Sequence, residues 1–425
     1  MKPAKPFSAT MDEQTFVPPT MRALYYTPIA TPTTTTTDIT AVDGTPTKKP
    51  NSGLVFDTDF PVPKPSPTQY LLKVQTTAFS HDELRLANIL NPRQSMPQIP
   101  LHNVCGTVII TPSADHWNPS GPRFKVDDVV FGLVSYTRDG AAADYVLATE
   151  EELAFKPRNV SAAEAATIPL PALTAWQALF TYGGLGPGEN QTATTNHRKT
   201  SSHGSRNSNN SSKANGIGKH NQLRILITNA RDSEVGMQAL QLLRSQSLFQ
   251  QQQRPWVCAT CSNPDQEKYL RADPHVDETI PAPLPLAPEF DISTPFLTNN
   301  WAPVDLVLDC AGGQMFRQAH SPSVVKDKGV VLTAVDSGPA QSAQHQEPGV
   351  AGAEITKREL FSRFIAMEPD GETLGRIARM VEEEGSVRGR VESIVDLVNG
   401  ADILDAGAAG ANGARRGGMI VVRVN

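Results

Sequence analysis

Three small residues, Ala230, Ser233 and Gly236, recur at intervals of three behind a short apolar run, Leu223-Arg224-Ile225-Leu226-Ile227. Small residues at that spacing suit the holding of a phosphate. They let the backbone turn tightly and bring the first N–H groups of a helix to an anion, where unpaired donors and the positive dipole end favour negative charge. Gly236 stands where helix and strand pack closely, Val235 completes the turn, and Ser233 adds a hydroxyl that can donate to a phosphate oxygen. Glu234 pulls the other way: a carboxylate beside a pyrophosphate is repulsive unless it turns outward, with Arg231 the neighbour placed to offset it. Taken alone, the spacing describes a buried strand–helix unit just as well.

The cysteines offer a second chemistry. Cys258-x-x-Cys261 has the spacing of a redox dithiol or of half a zinc site. The pair lies inside the apolar run Trp256–Cys261, and Cys105 and Cys310 are distant, so it reads as part of a buried strand. His197, His203 and His220 fall in a polar tract and read as solvated loop residues.

These residues need a frame. Val235, Ala239, Leu242 and Leu243 recur at helical spacing after the apolar run, giving strand, turn, helix. Further strands are expected at Trp256–Cys261, Val304–Cys310, Gly329–Val335 and Phe361–Met367, with helical segments between several of them. That alternation predicts a parallel sheet covered on both faces. If the first unit binds a dinucleotide, the ribose lies at the end of the second strand, where an NAD site wants an acid. Here that end is Thr260-Cys261-Ser262-Asn263, uncharged, which leaves room for a 2′-phosphate on Ser262 with Lys268 as charge partner. NADP(H) is therefore expected over NAD(H), while the nearby Asp265 keeps the alternative open.

Before Leu153 the chain has a different character. Short strands at Met21–Tyr26, Tyr70–Ala78, Asn103–Thr111, Asp128–Leu133 and Ala142–Ala148 are separated by Pro and Gly turns, the pattern of a compact β-rich domain. Ser161, with Glu164 three residues on, signals a helix start. Pro169 and Pro171 read as a break before a helix from Leu173. Residues 281–300, with five prolines, read as an irregular excursion, Gly338–Ala353 as a polar loop, and Gly371–Glu384 as an amphipathic helix before a last strand, Met419–Val424.

At 425 residues, two or three domains are expected. The net charge of −6 argues against a general nucleic-acid or membrane-surface role. No apolar run approaches the roughly 20 residues of a membrane span. The first twenty residues lack an apolar signal core, and Asp12 and Glu13 fit a transit peptide poorly, so a cytoplasmic, reducing setting is expected.

The motifs, in order, resemble one superfamily. Ile99-Pro100-Leu101-His102-Asn103-Val104-Cys105-Gly106 is similar to an IPGxDxxG turn, and Val126-Asp127-Asp128-Val129-Val130-Phe131-Gly132 to GDRVFG. Ala141–Val146 resembles the AYAEYV-type strand that follows, and Ala165-Ala166-Thr167-Ile168-Pro169 with Leu173-Thr174-Ala175-Trp176 the hinge helix. Asp305-Leu306-Val307-Leu308-Asp309-Cys310-Ala311-Gly312-Gly313 resembles D-x-V-x-D-x-x-GG. Arg271-Ala272-Asp273 stands where GAD is usual, and Arg416-Gly417-Gly418-Met419 where RGK is usual. Together they resemble the medium-chain dehydrogenase/reductase superfamily, in its zinc-free quinone-oxidoreductase and enoyl-reductase branch of fungal type.

The resemblance implies an α/β fold: a Rossmann-type doubly wound parallel sheet plus a GroES-like β-rich catalytic domain. Its boundaries would be a disordered tail over 1–20, the catalytic domain over 21–173 with an insertion at 31–53, the dinucleotide domain over 174–368 with a disordered loop at 186–221, and a return to the catalytic domain over 369–425. It places Thr174 beside the nicotinamide and Ala311 at the cofactor-contacting strand end. It puts Ser80, His81 and Tyr136 at the reacting end, with Tyr136 or His81 able to donate a proton, though surface hydrogen bonding suits either. The zinc relatives need Cys and His ligands around an open position. This chain has Ser80 at the cysteine position and Asn103 after His102, so no metal is expected. The implied reaction is hydride transfer from NADPH to an enone, quinone or enoyl group. The alternative is a catalytically silent relative acting as a cofactor sensor or interaction protein, suggested by Ala230, Ser233, Glu234, Arg271 and Met419. In this family the Phe361–Met367 strand often pairs across a two-fold, which implies a homodimer.

Overall fold

The computed structural model describes residues 16–26, 54–79, 97–113, 121–185, 222–249, 254–335, 358–401 and 418–425. Ser80 and His81 lie outside these, as do most of the expected tail, the insertion at 31–53 and the polar tracts 186–221 and 338–353. The chain divides into two compact units, Met1–Leu173 with Glu368–Glu382 and Gly389–Asn425, and Thr174–Met367 with Glu383–Arg388.

In the first unit β1 (Thr20–Tyr26) pairs antiparallel with β2 (Leu54–Pro61). A larger sheet is built from β3 (Tyr70–Phe79), β4 (Asn103–Ile110), β5 (Val129–Leu133), β6 (Tyr145–Ala148) and β7 (Leu153–Phe155). Its interior holds Leu72, Val74, Phe79, Val104, Val108, Phe124 and Val130. Helix α1 (Ala162–Ala166) is capped by the Ser161 hydroxyl, which accepts from the Glu164 N–H. Helix α2 spans Pro169–Trp176, so Pro169 and Pro171 open a helix and do not break the chain. Both sit in the first turn, where backbone N–H groups have no intrahelical acceptor and a missing one costs nothing.

From β8 to β12 the second unit alternates strand and helix. In order come β8 (Arg224–Ile227), α3 (Glu234–Leu243), β9 (Trp256–Cys261), α4 (Pro264–Arg271), β10 (Glu278–Pro281), α5 (Ser293–Thr298), β11 (Val304–Asp309), α6 (Gly313–Gln318), β12 (Val325–Thr333) and β13 (Phe361–Phe364). The sheet order is β10-β9-β8-β11-β12-β13, and every neighbouring pair is parallel. Leu226, Cys258, Ile280, Phe296, Val307, Met315 and Val331 fill its core. The strand β10 and helix α5 flank and occupy the stretch expected to be irregular. Pro281 is tolerated because β10 is an edge strand, where one absent donor faces no ladder.

The chain then returns to the first unit. Helix α7 (Gly371–Arg379) is capped by Asp370 and buries Leu374 and Ile377. Strands β14 (Val391–Asp396) and β15 (Met419–Arg423) complete the first sheet, in the order β14-β15-β3-β4-β5-β7 with β6 beside β3. The mostly exposed edge strand β14 lacks an apolar alternation and is not predicted from sequence.

Candidate dinucleotide site

Where the order of a doubly wound sheet reverses, adjacent strands leave a crevice at their carboxyl ends. Here that switch point lies between β8 and β11. After β8 the chain enters a turn with Asn229 at φ 48. Asn229 is locked to both neighbours: its N–H donates to Thr260 Oγ1 at 2.7 Å, and its Nδ2 donates to the Cys310 carbonyl at 3.3 Å. The Ala230 N–H donates to the Thr260 carbonyl at 3.3 Å. The Asn229 Oδ1 is buried with no hydrogen-bond partner.

Helix α3 begins on this turn. Ser233 caps it, accepting from the Gly236 N–H at 3.3 Å. A Cβ on Gly236 would lie 2.8 Å from the Ala230 carbonyl oxygen and 2.9 Å from its Cα, so only glycine lets α3 close onto the turn. Val235 is half-buried on its first turn and Ala230 fully buried beneath it. Glu234 is half-buried at the first helical position, and its charge reaches the Cys310 thiol. Arg231 leans away, over the Tyr269 ring at 4.3 Å and toward Met237 Sδ at 3.4 Å.

The floor of the site is a carboxylate that sequence reading used only as a motif letter. Asp309 is fully buried and accepts from Thr228 Oγ1 at 2.7 Å, Thr333 Oγ1 at 2.9 Å, and the N–H groups of Ala311 at 3.2 Å and Gly312 at 3.0 Å. Burial raises its pKa, and the hydrogen bonds oppose that. Asp309 therefore joins the ends of β8, β11 and β12, and its network leaves it no base to offer. The N–H of Ala311 is engaged there too, so Ala311 offers a cofactor its carbonyl and methyl and not its donor.

The end of β9 differs from expectation. Ser262 Oγ donates to Asp232 Oδ2 at 2.7 Å, and the Gln266 amide donates to Asp232 Oδ1. The Ser262 N–H and hydroxyl also lie 2.9 and 3.1 Å from Gln266 Oε1. The strand end is thus not uncharged: the glycine-type turn swings an acid onto it. Lys268 is exposed on α4, and Gln266 holds the place beside Ser262 that was expected for it. This removes the sequence ground for preferring NADP(H).

In the first unit Tyr136 and His102 are interior residues, 4% and 0% exposed, with ring centroids 3.9 Å apart. Tyr136 is therefore not the surface group its position suggested. Burial pushes the His102 imidazole down to about 3, opposed by a hydrogen bond to the Val134 backbone and reinforced by Arg138. Thr174 is buried on α2, at 5% exposure. All four cysteines are buried and free, and burial pushes the Cys261 thiol up to about 11 and Cys258 higher still. The C-x-x-C pair is part of strand β9. Among the described residues, no group of three or more His, Cys, Asp or Glu is placed to hold a metal. His102 itself is fully buried and stacked on Tyr136.

No protein-family model matches the chain. A "Probable zinc-binding oxidoreductase, mitochondrial" from Arthroderma benhamiae is 29% identical over 392 residues, covering 89% of this chain and 98% of that protein. A "Chloroplast envelope quinone oxidoreductase homolog" from Arabidopsis thaliana is 26% identical over 367 residues, covering 85% and 92%. The solved quinone oxidoreductase from Coxiella burnetii superposes with a TM-score of 0.60 at 18% identity, over 95% of this chain and 99% of that one. These likenesses support the quinone-oxidoreductase-like branch of the medium-chain dehydrogenase/reductase superfamily. The second unit is the Rossmann-type sheet and the first the GroES-like β-rich domain of that superfamily. The relatives' names support an oxidoreductase in the broad sense; they are mitochondrial and chloroplast names, and do not speak for a cytoplasmic setting. No helix among the described residues is long and apolar enough to cross a membrane.

Proposed function

We propose that this dehydrogenase/reductase-type chain binds a nicotinamide dinucleotide and, without zinc, passes a hydride to a polarised C=C or quinone carbonyl of a small molecule. The observation that carries the reading is the switch-point turn, where α3 is capped by Ser233 and seated on Ala230 through Gly236, beside the unpartnered Asn229 Oδ1. Ala230, Ser233, Val235 and Gly236 would hold the pyrophosphate at the helix N-terminus. Ser262, Ala311 and Thr174 would bound the rest of the cofactor, with Lys268 further out.

The bound nicotinamide supplies the hydride. The protein has to position the acceptor and stabilise the developing enolate or phenolate oxygen with donors. Ser80, His81 and Tyr136 are proposed for that end. Zinc independence is proposed because Ser80 stands at the cysteine position and Asn103 follows His102. A homodimer across β13 is proposed on the same family ground, and a sedimentation run showing monomer at micromolar concentration would refute it.

Titration with NADH and NADPH, followed by nucleotide fluorescence, tests the core of this. Saturable binding, with oxidation of the nucleotide by a quinone or enone panel in protein free of zinc by elemental analysis, is the expected result. No binding of either nucleotide at millimolar concentration would overturn it. Asp232 and Glu234, two carboxylates in one turn, favour a second reading, a silent sensor, which saturable binding without turnover would support.

A further inference from the structure

Granting the dinucleotide site just described, on which this depends, we infer that Asp232 selects the cofactor and makes the chain take NADH in preference to NADPH. In a doubly wound sheet the adenosine ribose sits at the carboxyl end of the second strand, and an acid there accepts its two hydroxyls. Strand β9 supplies no acid of its own: it ends in Thr260-Cys261 and is followed by Ser262. The turn after β8 supplies one from the side.

The placement of Asp232 is fixed from both ends. Ser262 Oγ donates to its Oδ2 at 2.7 Å, and the Gln266 side-chain amide donates to its Oδ1. Gln266 is itself set by Asn263, which caps α4 and accepts from the Gln266 N–H at 3.0 Å. Each carboxylate oxygen receives a single donor from a neutral side chain and keeps a lone pair for a ribose hydroxyl. A 2′-phosphate would meet the same carboxylate as a like charge. The Ser262 hydroxyl, moreover, already donates to that carboxylate. The cations close by are directed elsewhere: Arg231 lies over Tyr269, and Arg271 is paired with Glu267 at 2.7 Å. Asp232 is a specificity residue for the adenosine end, remote in role from hydride transfer.

The test is equilibrium binding of the full-length protein to NADH and NADPH, with no turnover required. NADH is expected to bind at least tenfold tighter. Raising the salt from low to high concentration should narrow that gap, because the penalty on NADPH is like-charge repulsion that ions screen. Asp232→Asn keeps the shape and removes the charge, and should shift the NADH/NADPH ratio by tenfold or more toward NADPH. Equal or tighter NADPH binding by the unaltered protein would overturn the inference, as would an unchanged ratio in Asp232→Asn. The first of these would mean that Arg231 leaves Tyr269 for the phosphate, and the dinucleotide reading would survive it. Failure of both nucleotides to bind would instead remove the dinucleotide reading and this inference together. If Asp232→Asn does not fold, the ratio and its salt dependence in the unaltered protein decide.

Discussion

Asp309 shows how much one residue can hold at this site. Its two oxygens take hydrogen bonds from two threonine hydroxyls and two backbone N–H groups on three different strands or their ends. Asp309→Ala should therefore cost on the order of 3 kcal/mol, because it leaves several buried donors unpaired at once; urea unfolding would measure this, and a loss below about 1 kcal/mol would deny the network its role. His102 makes a prediction about pH. Its folded-state pKa is depressed to about 3, so below the unfolded value near 6.5 the unfolded chain binds a proton that the folded chain refuses. Stability is thus whole above about pH 6.5 and falls as pH drops toward 3, by about 2 kcal/mol at pH 5 from this group. His275, lowered by burial and by Arg244 and Arg254, adds in the same direction. His102→Phe, which keeps a ring against Tyr136, should flatten the decline in melting temperature between pH 6.5 and 5; a parallel decline would assign it to other groups. Neither residue's state can be read from its sequence neighbours, since both come from burial.

At the scale of the element, strand β8, the turn and α3 form the proposed dinucleotide site. The helix is legible because Val235, Ala239, Leu242 and Leu243 follow the 3.6-residue period. The turn is not, because its shape is set by Thr260 on β9 and Cys310 after β11, both brought in from distant sequence. Gly236→Ala gives a clean test. In an ordinary helix that change stabilises by roughly 1 kcal/mol. Here the new methyl would fall 2.8 Å from the Ala230 carbonyl, so the sign should reverse: a melting temperature several degrees lower, with nucleotide affinity reduced as α3 is pushed off the turn. An unchanged or higher melting temperature would show that α3 shifts freely. Ser233→Ala removes the cap and should cost about 1 kcal/mol by denaturant unfolding.

Across the whole molecule, the first unit depends on residues about 340 positions apart. Strand β15 lies antiparallel to β3, pairing Val421 with Ala78 and Val422 with Thr77, and both valines are fully buried. The last residues of the chain therefore close a sheet begun near its start. Val422→Asp would bury an unpaired carboxylate in that interior, at a cost of several kcal/mol. It should send most of the expressed protein to the insoluble fraction, whereas Arg423→Ala, on the exposed side of the same strand, should leave solubility unchanged. Equal yields of the two variants would show that β15 is dispensable.

Local pattern was enough to determine the parallel strands β8, β9, β11 and β12, the helices α3 and α7, the β-rich opening and the order of motifs that places the chain in its superfamily. Periodicity and turn chemistry act over a few residues, and the sequence displays both. Its failures have one cause. Edge strands β10 and β14 carry little apolar pattern, since what holds them is a neighbour's backbone. The buried stacking of Tyr136 on His102, and the acid that Asp232 brings to the end of β9, exist only when segments far apart in the chain fold against each other. The sequence alone determined that a dinucleotide fold is present. Only the tertiary structure decided that a carboxylate from the turn after the first strand stands at the end of the second, because hydrogen bonds to Ser262 and Gln266, and no local preference, hold it there.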